Sequence, residues 1–176
     1  TSIVNVGLSQ MGGSLGVTIE DISWVITSYA IANVVIIPMT GFLQRYFGRK
    51  NYYLTSIMIF TVASYFCGTA DDLWTLVFFR FIQGIGGGAL LSVSQGILYD
   101  AFPIEQRPLA SAMFGIGIVL GPTFGPTLGG IILDNYHWSW MFLINLPIGI
   151  LALLLSYFFI DKKPEEIQID RSKIRV

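Results

Sequence analysis

Charged side chains are confined to a few short stretches of this chain. Between them run five long segments free of Asp, Glu, Lys and Arg: residues 22–44, 51–70, 81–99, 108–133 and 135–160. Each approaches or exceeds the ~18 apolar residues that a helix needs to cross about 30 Å of hydrocarbon. A shorter apolar piece, residues 1–8, would span only ~12 Å as a helix and reads as the tail of a helix whose start lies upstream. The pattern predicts six membrane spans, at about 1–9, 22–43, 53–70, 73–98, 109–133 and 141–160, followed by a polar tail at 161–176. The fold class that follows is an all-α polytopic membrane protein, a six-helix bundle with its first helix incomplete.

Composition agrees with this reading. Charged residues are 12% of the 176, about half of the ~25% usual in a soluble domain. A net charge of −1 offers nothing to nucleic acid. The single cysteine, Cys67, falls inside an apolar run and reads as a packed thiol.

Where the charges fall sets an orientation. Arg45, Arg49 and Lys50 lie between the second and third spans, Arg107 between the fourth and fifth, and Lys162, Lys163, Arg171, Lys173 and Arg175 after the sixth. If the helices alternate in direction, all of these share one face. The opposite face carries Glu20, Asp21, Asp71, Asp72, Asp134 and His137 without a Lys or Arg. The positive-inside rule makes the basic face cytoplasmic, so both termini of this segment and a linker at 161–176 are expected in the cytoplasm. Trp24, Trp74, Trp138 and Trp140 fall near the outer ends of spans, as an aromatic belt requires.

Arg80 breaks the charge pattern, because it lies seven residues inside the fourth span, about 10 Å along the helix. An arginine at that depth normally faces a bundle interior or an aqueous cavity and pairs with another group; a shallower one snorkels to the headgroups. Gln83 stands one turn further on. None of the complete spans contains an Asp or Glu, so an acidic partner for Arg80 is expected outside them. The run GIGGGA, residues 84–89, fits a dinucleotide-binding fingerprint formally. It lacks the preceding strand that the fingerprint needs, and glycines such as Gly84 instead let a neighbouring helix come close. His137 reads as an interfacial residue. No Cys, His, Asp and Glu set has metal-ligand spacing and no Ser/His/Asp set assembles at one depth, so neither a metal, a cofactor nor an enzyme activity is expected.

Residues 115–130, GIGIVLGPTFGPTLGG, hold six glycines and two prolines, residues that cost about 1 and about 3 kcal/mol in a helix interior in water. Gly117, Gly121, Gly125 and Gly129 recur every fourth position, a seam of small residues on one helix face. Pro122 and Pro126 remove backbone bonds and loosen the helix, with Thr123 and Thr127 close enough to satisfy freed carbonyls. The seam reads either as a static close-packed pair or as a rocking surface.

Taken in order, these motifs resemble the N-terminal half of a major facilitator superfamily drug:proton antiporter, of the fourteen-helix EmrB/QacA type. TSIVNVGL is similar to the end of that type's first helix, and WVITSYAIANVVIIPMTGFL to its second. GFLQRYFGRK stands at the loop motif between helices two and three, with Gly41, Gly48, Arg49 and Lys50 kept. LVFFRFIQGIGGGAL resembles the fourth-helix motif, whose arginine is Arg80, and GIVLGPTFGPTLGG the antiporter motif, including Gly130. WSWMFLINLPIG, with Asn145, Pro147 and Gly149, is similar to the start of helix six. Arg45 and Tyr46 occupy slots that usually hold an acid and a base, Ser9 replaces a frequent proline and Ser139 a frequent arginine.

The resemblance implies secondary transport in a bacterial inner membrane: export of lipophilic or cationic drugs in exchange for protons, by alternating access between two six-helix bundles. Arg80 would then tune an aspartate that the family carries just before the position of Thr1. The fifth-span seam would face a second half of the protein, missing here, and some relatives work with a periplasmic adaptor and an outer-membrane channel. Alternatives are export of a siderophore, lipid-like molecule or metabolite, and a truncated membrane protein that transports nothing or pairs with another half.

Overall fold

A computed structural model describes residues 2–160. Among these it contains helices and turns and no strand. Helix α1 is Ser2–Leu15, α2 the single turn Ile19–Ile22, α3 Trp24–Phe47, α4 Arg49–Gly68 and α5 Leu73–Ala101. A 3-10 turn, Ile104–Gln106, leads into α6, Arg107–Asn135; α7 is the short Trp140–Leu143 and α8 is Asn145–Phe159. Among the described residues, four stretches are both long and apolar enough to cross a membrane: Ile19–Phe47, Leu73–Ala101, Ile104–Asn135 and Trp140–Phe159. Helix α4 has the length, 20 residues, but opens on Arg49, Lys50 and Asn51. The expected polar tail, 161–176, lies outside the described residues.

Local chemistry explains the helix ends. Asp72 has an extended backbone and its side chain accepts from the Thr75 amide at 2.9 Å, taking one of the four donors left unpaired at the start of α5. Pro108 sits in the first turn of α6, where its missing N–H costs nothing. Gly48 joins α3 to α4 with φ +80°, a left-handed conformation open to glycine without strain. Helix α1 runs six residues past the expected end near Ser9. Ser9 and Gln10 do not break a helix, Met11 is drawn completely into the interior, and the turn ends only at Gly16, φ +66°.

Helix α5 is wedged between α3 and α4. A methyl group on Gly84 would stand 2.7 Å from both Ala32 Cβ and the Tyr29 carbonyl oxygen, and one on Gly86 would stand 2.8 Å from the Phe60 amide nitrogen. Both helices therefore approach α5 backbone to backbone, the geometry by which helices associate where no hydrophobic force separates them from lipid. Around this wedge, α1 packs on α6 and α8 on α4. Gly149 of α8 lies directly against the Thr61 side chain. The largest core cluster joins Val4 and Met11 of α1, Val25 of α3, Cys67 of α4, Leu76 of α5 and Phe142 of α7.

At the opposite end of the bundle Arg49 pairs with Asp100, and Lys50 donates to the Tyr157 carbonyl at 2.8 Å. The start of α4 and the ends of α5 and α8 therefore meet at one end.

The expected tryptophan belt needs correction at one position. Trp24, Trp74 and Trp140 are exposed, but Trp138 is only 3% exposed and stands edge-on to Phe142. Trp138 lies in the turn that precedes α7, and its ring is turned into the core while that of Trp140, the first residue of α7, stays outside.

Candidate functional site

Arg80, on the second turn of α5, is 2% exposed, and Gln83, three residues on, is 1% exposed. That spacing places them on one helix face, turned inward between α3 and α4. Arg80 donates from Nε to the Val25 carbonyl at 3.1 Å and from Nη1 to Gln83 Oε1 at 2.6 Å. Gln83 in turn donates from Nε2 to Ser64 Oγ on α4 at 2.5 Å. The guanidinium carbon lies 4.3 Å from the Tyr29 ring centroid and 5.7 Å from that of Phe142.

A buried arginine stays charged, and a buried charge is costly unless it is paired and hydrogen-bonded. Here two aromatic faces and two neutral acceptors supply partial compensation; a desolvated cation–π contact is worth roughly 2 kcal/mol. Among the described residues no carboxylate reaches the guanidinium, and Arg80 Nη2 is buried without a hydrogen-bond partner. Snorkelling is excluded by the burial. Chemically, the site is a buried cation whose Nη2 amino group is uncommitted, suited to stabilising an anion brought against it.

Arg80 and Gln83, one turn apart in sequence, stand on one buried face of α5, and Gly84 beside them lies against the Tyr29 backbone of α3. Ser64, Tyr29 and the Val25 carbonyl were not anticipated. Ser64 is one of several hydroxyls on α4, and nothing in its local sequence says which of them faces α5.

The fifth-span motif divides. Gly129 lies against the backbone of α1, where a methyl group would stand 3.0 Å from the Ile3 carbonyl oxygen. Gly117, Gly121 and Gly130 have nothing within 4 Å of that position; Gly125 is half-buried and Pro122 and Pro126 are exposed. Helix α6 runs unbroken through both prolines. The expected repair by threonine is corrected in detail. Thr123 donates to the Val119 carbonyl at 2.8 Å, not to the Ile118 carbonyl freed by Pro122, because a threonine hydroxyl reaches the carbonyl four residues back.

The loop-motif residues Gly48, Arg49 and Lys50 form the cluster at the Asp100 end, while Gly41 is exposed with open space beside it. Asn145 and Pro147 occupy the first turn of α8, and Gly149 packs on α4. His137 is exposed and its Nδ1 lies 2.9 Å from Ser139 Oγ.

Comparison with known proteins gives this arrangement its context. Residues 1–176 match the Major Facilitator Superfamily. The multidrug export protein EmrB of Haemophilus influenzae is 42% identical over 167 residues, 95% of this chain and 33% of that protein. EmrB of Escherichia coli K12 is 41% identical over 156 residues, 89% of this chain and 30% of that protein. The fatty acid resistance protein FarB of Neisseria gonorrhoeae is 40% identical over 157 residues, 89% of this chain and 31% of that protein. The chain thus spans about a third of the length of these relatives. Among solved structures, the inward-open xylose transporter XylE of Escherichia coli superposes with a TM-score of 0.73 at 14% identity, covering 94% of this chain and 45% of that one. With its membrane-length helices, its wedge of glycines and its buried arginine, the chain belongs to the major facilitator superfamily, as a multi-pass membrane protein related to the EmrB-type drug exporters.

Proposed function

We propose that this chain supplies the first helical bundle of a proton-coupled exporter of lipophilic or cationic compounds. Export would proceed by alternating access between this bundle and a second one. The observation that carries the reading is Arg80: a charge held at membrane depth by Val25, Gln83 and Tyr29, with Nη2 uncommitted. A cation in that position lowers the proton affinity of any carboxylate that comes beside it. It thereby sets the pH range over which that acid loads and releases a proton. The family resemblance implies such an aspartate in the first helix, just before the position of Thr1.

The open glycines Gly117 and Gly121 and the prolines of α6 form the face that would move against the second bundle. The cluster of Gly48, Arg49, Lys50 and Asp100 would gate the cytoplasmic side, with both ends of this segment, including 161–176, in the cytoplasm. An adaptor and an outer-membrane channel are the further partners that this reading allows. A second substrate class, fatty acids, is favoured by the kinship with the resistance protein FarB.

The test is Arg80→Ala in the whole protein, assayed as proton-driven efflux of a cationic dye from everted vesicles. Loss of proton-driven efflux with the protein still inserted is expected. Undiminished efflux would remove Arg80 from the mechanism.

A further inference from the structure

We infer that Ser64 is a positioning residue for Arg80, acting through the amide of Gln83. The inference rests on the reading of Arg80 given above.

Three polar side chains link α5 to α4 in series. Arg80 Nη1 donates to Gln83 Oε1 at 2.6 Å, Gln83 Nε2 donates to Ser64 Oγ at 2.5 Å, and Ser64 Oγ donates to the Phe60 carbonyl at 2.8 Å. The last group in the chain fixes the direction of all the others. A backbone carbonyl can only accept, so the single hydroxyl proton of Ser64 is committed to Phe60. What Ser64 then offers Gln83 is a lone pair, and only the NH2 end of the amide can meet it. The amide must therefore turn Nε2 toward α4 and Oε1 toward Arg80. The reverse orientation would set the amide NH2 against the guanidinium N–H groups, donor against donor.

Ser64 thus selects how the amide lies, and the amide selects where the guanidinium stands. With Nε on Val25 and Nη1 on Gln83, Nη2 is left as the free corner. All three side chains are essentially inaccessible to water, so no solvent molecule substitutes for a lost partner, and an unpaired group there is expensive. The titratable neighbours of the guanidinium are Tyr29 on α3 and Cys67 on α4. Helix α7 contributes the uncharged ring of Phe142, and no described carboxylate reaches it from any helix. The local field therefore depends on where the Arg80 charge is held.

The experiment uses the whole protein in proteoliposomes and follows proton-driven ethidium efflux across a pH series. Ser64→Ala is expected to reduce the rate on the order of tenfold, as small displacements of reacting groups do. It should also move the midpoint of the pH profile up by about half a unit, because a cation that is no longer aimed at an acid depresses its pKa less. Ser64→Thr, which keeps the hydroxyl, is expected to restore both. Should Ser64→Ala fail to fold, the double variant Ser64→Ala/Gln83→Met leaves no orphaned amide and is expected to show the same shift. An unmoved midpoint in either folded variant, with the parent protein coupled and Arg80→Ala inactive, overturns the role of Ser64 and leaves that of Arg80 standing. Full efflux in Arg80→Ala overturns both.

Discussion

Tyr29 lies beneath Arg80, with its ring centroid 4.3 Å from the guanidinium carbon. The same residue sits at a close approach of α5 to α3, its carbonyl oxygen 2.7 Å from where a Gly84 methyl group would be. One tyrosine therefore serves the packing of two helices with its backbone and the burial of a charge with its ring. Replacing the ring separates the two roles. Tyr29→Phe keeps a π face and is expected to leave thermal stability in detergent within about 0.5 kcal/mol of the parent. Tyr29→Leu removes the face and is expected to cost roughly 1–2 kcal/mol. Equal melting of the two variants would show that the ring contributes bulk alone.

The glycines of α5 and α6 look alike in sequence and are expected to respond in opposite ways. Gly84→Ala forces a methyl group into the α3 backbone, and overpacking of this kind costs roughly 1–3 kcal/mol. Gly117→Ala meets nothing within 4 Å and removes a poor helix former, so this bundle should be unchanged or stabilised by up to about 1 kcal/mol. Thermal unfolding of both variants in mild detergent decides the matter. A Gly84→Ala variant as stable as its parent would contradict the close approach of α5 to α3.

Asp72 provides a pH dependence outside the membrane-spanning segments. Hydrogen bonding from Thr75, first from its side chain and then from its amide, holds the Asp72 carboxyl below its ordinary value of 3.8. A carboxylate with a depressed folded pKa contributes stability that is fully present above the unfolded value and is lost as pH falls through the folded one. Acid titration of helix content should therefore show a loss below about pH 4 that is smaller in Asp72→Asn, whose amide oxygen still caps α5 but does not titrate. Identical acid limbs in the two proteins would remove Asp72 as a source of that loss.

Arg80 was legible in the sequence because a charge inside an uncharged run has few innocent explanations, and Gln83 because three residues make nearly a full helical turn. Ser64 was not legible. Ser56, Thr61 and Ser64 on α4 each donate to the carbonyl four residues back, as membrane hydroxyls commonly do. What singles out Ser64 is that Gln83 of another helix lies opposite, which is a tertiary fact. Tyr29 was hidden for the same reason. The end of α1 was misjudged because polarity at Ser9 and Gln10 resembles a membrane boundary, whereas the helix follows the burial of Met11. Trp138 was assigned to the interface by depth, and depth does not tell which way a ring points.

The wedge of α5 between α3 and α4 has a consequence for biosynthesis. These three helices are consecutive in the chain, and their close approaches at Gly84 and Gly86 need no residue beyond α5. Every member of the Ser64–Gln83–Arg80 linkage lies N-terminal to α6 and α8, so a chain made from its N-terminus has the whole linkage available before those helices are inserted. Val25, Tyr29, Ser64 and Gln83 thus precede α6, which seats on α1 through Gly129, and Phe142 of α7 completes the shell around the cation last.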